Sequence, residues 1–373
     1  MNYILDVSTL DAYSSGAKQR FVTLYAELIK INKDKQFFIV HTPDYKEVKK
    51  IFNFKNVSFV SNPISQENYL KKLVSVIYIF FYINIKFKKL SAVEYFTLPF
   101  LKTNNCKNIF TIHDLRKIYF SNFFINKIAF KFFFKYFLKK VDKVIVVSKS
   151  MKLEMSKIFG KLDISVVYNT IDKKSFEKIS KKEILIVKKK YNLPKKFILS
   201  VGHLEKRKNY LRLIEAIHIL KKTKYDVKLF IIGQKADETH KISLLIKKLK
   251  LQSNVKVISN LNDYEVKCFY KLAKLFVFPS IYEGFGIPIL ESMASKLPIV
   301  LSDTKVFREI TENKYSYFDQ YDPLSIANNI KFVLMNREIQ KKMIKYGNRR
   351  INYFSLNFQK KKLDSFYNNL FFK

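Results

Sequence analysis

The sequence predicts an α/β protein built from two doubly wound, mainly parallel domains. Apolar runs of strand length alternate with stretches of helical spacing from one end of the chain to the other, the pattern of parallel sheets covered by helices. At several points a strand-like run passes through a small-residue loop straight into a helix start, which is how parallel sheets gather ligands at the carboxyl ends of their strands. The 373 residues, 48% of them apolar, supply a core for each of two ordinary domains.

The elements follow in order. Asn2 to Val7 reads as a buried first strand, and Ser14, Ser15 and Gly16 lead into Lys18 to Ile31, with Phe21, Leu24, Leu28 and Ile31 at helical spacing. That loop is either an anion-competent helix entrance or a plain turn. Strands are expected at Gln36 to His41, Val57 to Val60, Ala92 to Phe96 and Asn108 to Ile112. The apolar run Leu73 to Ile85, flanked by Lys71, Lys72, Lys86, Lys88 and Lys89, is too short for the roughly 20 residues of a bilayer crossing and reads as buried or surface-lying. Phe123 to Lys140 predicts a helix in which Lys127, Lys131, Lys135 and Lys139 step by four among Phe, Ile and Leu. It is either an ordinary domain helix with solvated lysines or an interfacial one, aromatic side to the acyl boundary and lysines to anionic headgroups.

Strands at Lys143 to Val147 and Ile164 to Val167 close the first domain, expected to cover residues 1–172. The second, over 173–354, opens with a helix at Lys181 to Tyr191 and a strand at Phe197 to Val201, followed by Gly202-His203-Leu204-Glu205-Lys206-Arg207-Lys208-Asn209 and another helix. Arg207 can grip a diphosphate bidentately and Lys208 adds a point charge. Strands at Val227 to Ile232 and Val255 to Ile258 precede the richest stretch. There Leu275 to Phe278 is a strand that Pro279 stops, Glu283-Gly284-Phe285-Gly286 is a loop, and Pro288 opens a helix. Glycines let a backbone approach a ligand, and the first amides and dipole of the helix favour an anion such as phosphate. Glu291, one turn inside, leans back toward the pocket of Glu283. Two carboxylates beside an anion site fit hydroxyl groups of a sugar or ribose, so the ligand expected is a nucleotide-sugar. Pro323 to Met335 and Ser355 to Phe372 complete the chain as helices.

Composition narrows the class. Seven glycines and eight prolines exclude collagen-like and low-complexity chains. The net charge of +39 must attract anionic surfaces, yet abundant Lys, Asn, Ile, Phe and Tyr without Trp is also what AT-rich coding yields, so no nucleic-acid partner is expected. Cys106 and Cys268 make neither a disulfide framework nor a zinc site, and MNYILDVSTL lacks the basic start of a signal peptide, so the expected location is cytoplasmic.

The segment Pro279 to Glu291, with its glutamates eight positions apart around Gly-Phe-Gly, closely resembles the donor-site signature of the retaining group 1 (family 4) glycosyltransferases of GT-B fold. Arg207-Lys208-Asn209 resembles the diphosphate-binding loop of that family, and His113-Asp114 the pair that commonly faces donor sugar and acceptor. Asn169-Thr170 stands where the family commonly has Asn-Gly. The resemblance implies two Rossmann-like domains facing across a cleft, an acceptor-side domain first and a donor domain second, with the last helix, 355–373, returning to the first. It implies transfer of a hexose from a nucleotide diphosphate to an acceptor hydroxyl, in surface polysaccharide, lipopolysaccharide or lipid-linked glycan synthesis. Arg207, Lys208 and the amides of Gly284, Phe285 and Gly286 would hold the diphosphate, Glu291 the ribose, Glu283 the sugar; His113 would orient sugar and acceptor, and Gly16 with Arg20 would touch donor phosphate or acceptor. The backbone at Asn260-Leu261 would lie beside the base, and Asp303, Thr304, Arg308 and Glu309 would close the pocket. No cofactor and no metal are expected, because no Asp-x-Asp clamp stands at a strand end. The family also implies a peripheral position on the inner face of an anionic membrane through residues 123–140. Two other readings stay open: a UDP-N-acetylhexosamine epimerase of the same architecture, and a non-enzymatic basic membrane binder.

Overall fold

The computed structural model describes every residue except 9, 11–15, 43–44, 46, 65–68, 97–101, 121–123 and 371–373; the side chains of 69, 70, 72, 124–127, 129 and 130 are also outside the description. Ser14 and Ser15 therefore lie outside the described residues, as do Phe123 and the side chain of Lys127. The chain divides into two units, one made of 1–170 and 356–373, the other of 171–355.

The first unit is a seven-stranded sheet. Its strands are β1 (Asn2–Asp6), β2 (Gln36–His41), β3 (Val57–Ser61), β4 (Ala92–Tyr95), β5 (Lys107–Ile112), β6 (Lys143–Val146) and β7 (Ile164–Val166), in the order β3-β2-β1-β4-β5-β6-β7. All six pairings are parallel, with Asn2–Asp6 in register with Gln36–Val40. β1 and β4 are neighbours although two strands intervene in sequence, so the winding reverses between them. Helix Gly16–Arg20, a π turn at Phe21–Tyr25 and helix Ala26–Ile31 continue one another and bury Phe21, Leu24, Tyr25 and Leu28 against the sheet.

The second unit has strands β8 (Ile198–Val201), β9 (Leu229–Ile232), β10 (Val255–Ile258), β11 (Leu275–Phe278), β12 (Ile299–Ser302) and β13 (Ser316–Phe318), again all parallel, in the order β10-β9-β8-β11-β12-β13. The winding reverses between β8 and β11. β9, β11 and β12 are buried at every residue, because a parallel sheet with helices on both faces leaves no solvent side to read as alternation. β12 and β13 are absent from the sequence expectation; β13 has only three residues, too few for a periodic signal.

The run Leu73 to Ile85 is the middle of a helix, Tyr69–Lys86. It is both buried and surface-lying: Ile79 and Ile83 are buried, while Val74, Ile77, Tyr78, Phe81 and Ile85 are exposed. The expected basic aromatic helix spans Phe124–Leu138 and buries Phe134, Phe137 and Leu138, leaving Ile128, Phe132, Phe133 and Tyr136 outside. The last helix, Leu356–Asn368, packs within the first unit, where Leu363 and Tyr367 are buried in its core.

Candidate active site

The reversal between β8 and β11 puts the loops after those two strands side by side, and the predicted charged residues sit on them. After β8 the chain makes a 3-10 turn at Lys206–Lys208 and passes through Asn209, whose φ of 60° is the left-handed conformation that asparagine tolerates well. Asn209 fixes this turn: its Nδ2 donates to the Pro279 carbonyl at 3.1 Å and the Gln320 carbonyl at 2.7 Å. The amide of Ile281 donates to the Arg207 carbonyl at 2.8 Å, which knits the β8 loop to the β11 loop.

The side chains then converge on one carboxylate. Lys208 Nζ lies 2.6 Å from Glu283 Oε1, and an Arg207 terminal nitrogen 2.7 Å from Glu283 Oε2. Arg207 Nε also pairs with Glu205 at 2.6 Å, and the Lys208 ammonium stands 4.9 Å from the ring centre of Phe278. Burial alone would raise the Glu283 pKa, but Arg207 and Lys208 overcome it and hold it at about 2, so Glu283 is an anion at any working pH. Burial draws the Lys208 pKa down, with Glu283 pulling against it. The sequence reading gave the cations and Glu283 separate ligands; the structure joins them in one buried cluster. The Arg207 fork is accordingly engaged by two carboxylates of the protein rather than held open for a diphosphate.

Packing explains the glycines. A Cβ on Gly233 would fall 1.8 Å from the Gly202 carbonyl oxygen, so the turns after β9 and β8 touch only because no side chain intervenes. Gly286 has a φ of 109°, and it caps the helix Ile287–Ala294 that Pro288 opens. Gly284 and Phe285 are buried in the loop before it. One turn into this helix, Glu291 accepts a hydrogen bond from Tyr270 at 2.7 Å. Burial raises its pKa to about 7, with Tyr270 opposing and Asp263 adding to the rise. Lys208 also acts on Glu291 electrostatically, so the two expected carboxylates share the field of one cation. Tyr270, on helix Asp263–Leu272, carried no sequence signal; its role follows from the packing of that helix beside Ile287–Ala294.

Arg308 makes an exposed two-toothed pair with Asp303, at 2.5 and 2.8 Å.

His113 belongs to the other unit, just past the end of β5. Its Nε2 is buried without a hydrogen-bond partner, and burial, then Arg20 and Arg116, push its pKa down to about 3. Gly16 is the exposed first residue of its helix. Arg20, four residues on, is 1% exposed and donates to the Val167 carbonyl at 2.8 Å and to Asn169 Oδ1 at 3.2 Å. It therefore pins Asn169, the residue at the family's Asn-Gly position. Nearby in the same unit, Glu94 is buried and accepts hydrogen bonds from Tyr25, Thr111 and Tyr367.

Two parallel, doubly wound units with charged loops at a winding reversal define the GT-B class of glycosyl-transferring fold. Solved structures agree: sucrose-phosphate synthase of Thermosynechococcus elongatus matches over 100% of this chain and 99% of its own with a TM-score of 0.83 at 16% identity. The Anabaena HepE structure with UDP-glucose covers 98% of both chains with a TM-score of 0.76 at 15% identity. The model for glycosyl transferases group 1 matches residues 181–350, and that for glycosyltransferase family 4 matches residues 91–175. The O-antigen chain mannosyltransferase RfbU of Salmonella typhimurium is 32% identical over 285 residues, 74% of either chain. The chain belongs to the group 1 glycosyltransferases.

Proposed function

We propose that this glycosyltransferase moves a hexose from a nucleotide diphosphate to an acceptor hydroxyl of a growing surface glycan, with retention at the anomeric carbon and without a metal. The observation that carries the reading is the buried Arg207–Glu283–Lys208 cluster beside the N-terminus of helix Ile287–Ala294. As the glycosidic bond breaks, negative charge grows on the leaving diphosphate. Cations already fixed in place by Glu283, together with the positive end of the helix Ile287–Ala294 dipole, stabilise that charge more in the transition state than in the ground state. Glu283 then does two things: it holds the cations in position and turns its remaining lone pairs toward sugar hydroxyls. Glu291 takes the ribose. His113, neutral because of its burial, offers an uncharged imidazole to sugar and acceptor.

Mannose is the sugar to test first, since RfbU is named an O-antigen chain mannosyltransferase. The experiment is a thermal-stability screen of nucleotide mannoses and glucoses, followed by turnover with glycan acceptors. A true donor at one hundred times its dissociation constant adds about 2.7 kcal/mol of stability. If no nucleotide-sugar stabilises the protein, the reading fails.

The same reading places the enzyme peripherally on the cytoplasmic face of a membrane. Among the described residues no helix is long and apolar enough to cross one. Its support is a pair of exposed stripes: Val74, Ile77, Tyr78, Phe81 and Ile85 on one helix, Ile128, Phe132, Phe133 and Tyr136 on another. Both helices are crossovers of the same sense, β3 to β4 and β5 to β6, so right-handed connection places them on one face of the sheet. Neither 69–93 nor 115–141 contains an acidic residue, and the lysines there suit anionic headgroups.

A further inference from the structure

The second unit has an open, surface-facing cavity of about 610 Å³, lined by residues from the turn before β13 and β13 itself, from helix Pro323–Met335 and from helix Arg337–Arg350. None of the residues assigned to donor or acceptor lines it.

Its chemistry is divided into a floor and a rim. Ile339, Met343 and Tyr346 recur at helical spacing along Arg337–Arg350 and, with Tyr315 and Phe332, form an apolar floor. Phe332 is 53% exposed, an aromatic ring left facing solvent. On the adjacent row of the same helix stand Lys342, Lys345 and Arg349, joined from the turn by Lys314. None of these four cations makes an ion pair among the described residues. The acids that flank the lining residues in sequence are engaged with other cations: Glu312 pairs with Arg350 at 2.7 Å and Glu338 with Lys341 at 2.8 Å.

The neutral polar groups of the lining are also engaged. Tyr315 donates to the Met343 carbonyl at 3.2 Å, Ser316 to Asn329 at 2.7 Å, and Tyr346 to Glu312 at 3.0 Å. With their protons committed, these hydroxyls keep only acceptor capacity, so the side-chain donors left over are cationic. Those donors match an anion better than a sugar or nucleoside, whose hydroxyls and base edges water at an open rim satisfies equally well. An occupant with one anionic head and an apolar body matches both halves of the lining.

We infer that this cavity is a binding site for an anionic lipid, phosphate head on Lys314, Lys342, Lys345 and Arg349, chain along Phe332, Ile339 and Met343. The site is separate from the donor loops, so the inference stands whether or not the proposed donor chemistry does.

The test is calorimetric titration of the full chain with monomeric lysophosphatidate, with lysophosphatidylcholine and inorganic phosphate as controls. Two surface variants, Lys342→Glu/Arg349→Glu and Phe332→Ser, probe head and chain, and circular dichroism melts check that each remains folded. Saturable binding of lysophosphatidate is expected, about tenfold or more tighter than either control and weakened about tenfold by each variant. Equal affinity for phosphate would mean an ion site only, equal affinity for the choline lipid a merely greasy surface, and unchanged binding in both variants a different location; each overturns the inference.

Discussion

Lys208 Nζ sits 2.6 Å from Glu283 Oε1, and the same carboxylate's other oxygen meets Arg207 at 2.7 Å. One buried anion therefore binds two cations delivered by a different strand, and Glu205 supplies the second negative charge at Arg207. Replacing Glu283 with Gln leaves Lys208 buried against a neutral amide and Arg207 with Glu205 alone. Breaking a buried pair in this way costs about 3–5 kcal/mol, read as a lower midpoint in urea denaturation. The double variant Lys208→Met/Glu283→Gln should regain part of that stability and none of the turnover, which separates folding from catalysis.

Glu291 gives a second prediction, with a sign. Its pKa rises from 4.5 unfolded to about 7 folded, so its protonated form is favoured in the folded protein. The associated stability is full below pH 4.5 and is lost as pH climbs through 7, about 3 kcal/mol in all at 1.4 kcal/mol per unit. Glu291→Gln abolishes this dependence: the variant gains on the wild type between pH 5 and 8 in thermal melts, while nucleotide affinity falls.

His113 behaves in the opposite sense. Its pKa falls from 6.5 to about 3, so folding favours the neutral ring and stability is lost as pH drops below 6.5. His113→Gln should lose turnover yet melt less steeply with acid than the wild type between pH 6.5 and 4. The acid limb of the wild-type rate profile should show no group near 6.5 belonging to this residue.

Gly233→Ala should be severely destabilising, because its new methyl would enter the Gly202 carbonyl at 1.8 Å and backbone must move. About 3 kcal/mol or more is expected, beyond the usual single-site range, with donor binding lost as the β8 loop shifts. Circular dichroism melts with and without nucleotide-sugar measure both.

The exposed stripes of the first unit supply the fifth. Phe81→Ser/Ile85→Ser and Phe132→Ser/Tyr136→Ser should each change stability by less than about 0.5 kcal/mol, being surface changes. Flotation with anionic vesicles should drop sharply for both, and for neutral vesicles neither should differ from wild type.

How far the chain announces itself depends on how local each feature is. Glu283, Gly284, Gly286, Pro288 and the Arg207–Lys208–Asn209 turn are contiguous and carry their own chemistry, so they were legible. The ion pairs between those two loops were not, because they rest on β8 and β11 being neighbours in the sheet while β9 and β10 intervene in sequence. Tyr270 was invisible for the same reason. The helix Tyr69–Lys86 was ambiguous for another: with Ile83 buried and Phe81 and Ile85 exposed, both of its faces are apolar and no amphipathic stripe marks it. β13 was simply too brief.

Tyr367 reaches Glu94 across most of the polypeptide, which makes the first unit discontinuous. During synthesis the amino-terminal half emerges long before residue 367 exists, and until then a carboxylate meant for three hydroxyls has two. A fragment ending at 170 should accordingly be a poor substitute for the unit it resembles, and a nonsense codon ahead of the last helix should injure the end of the protein that was made first.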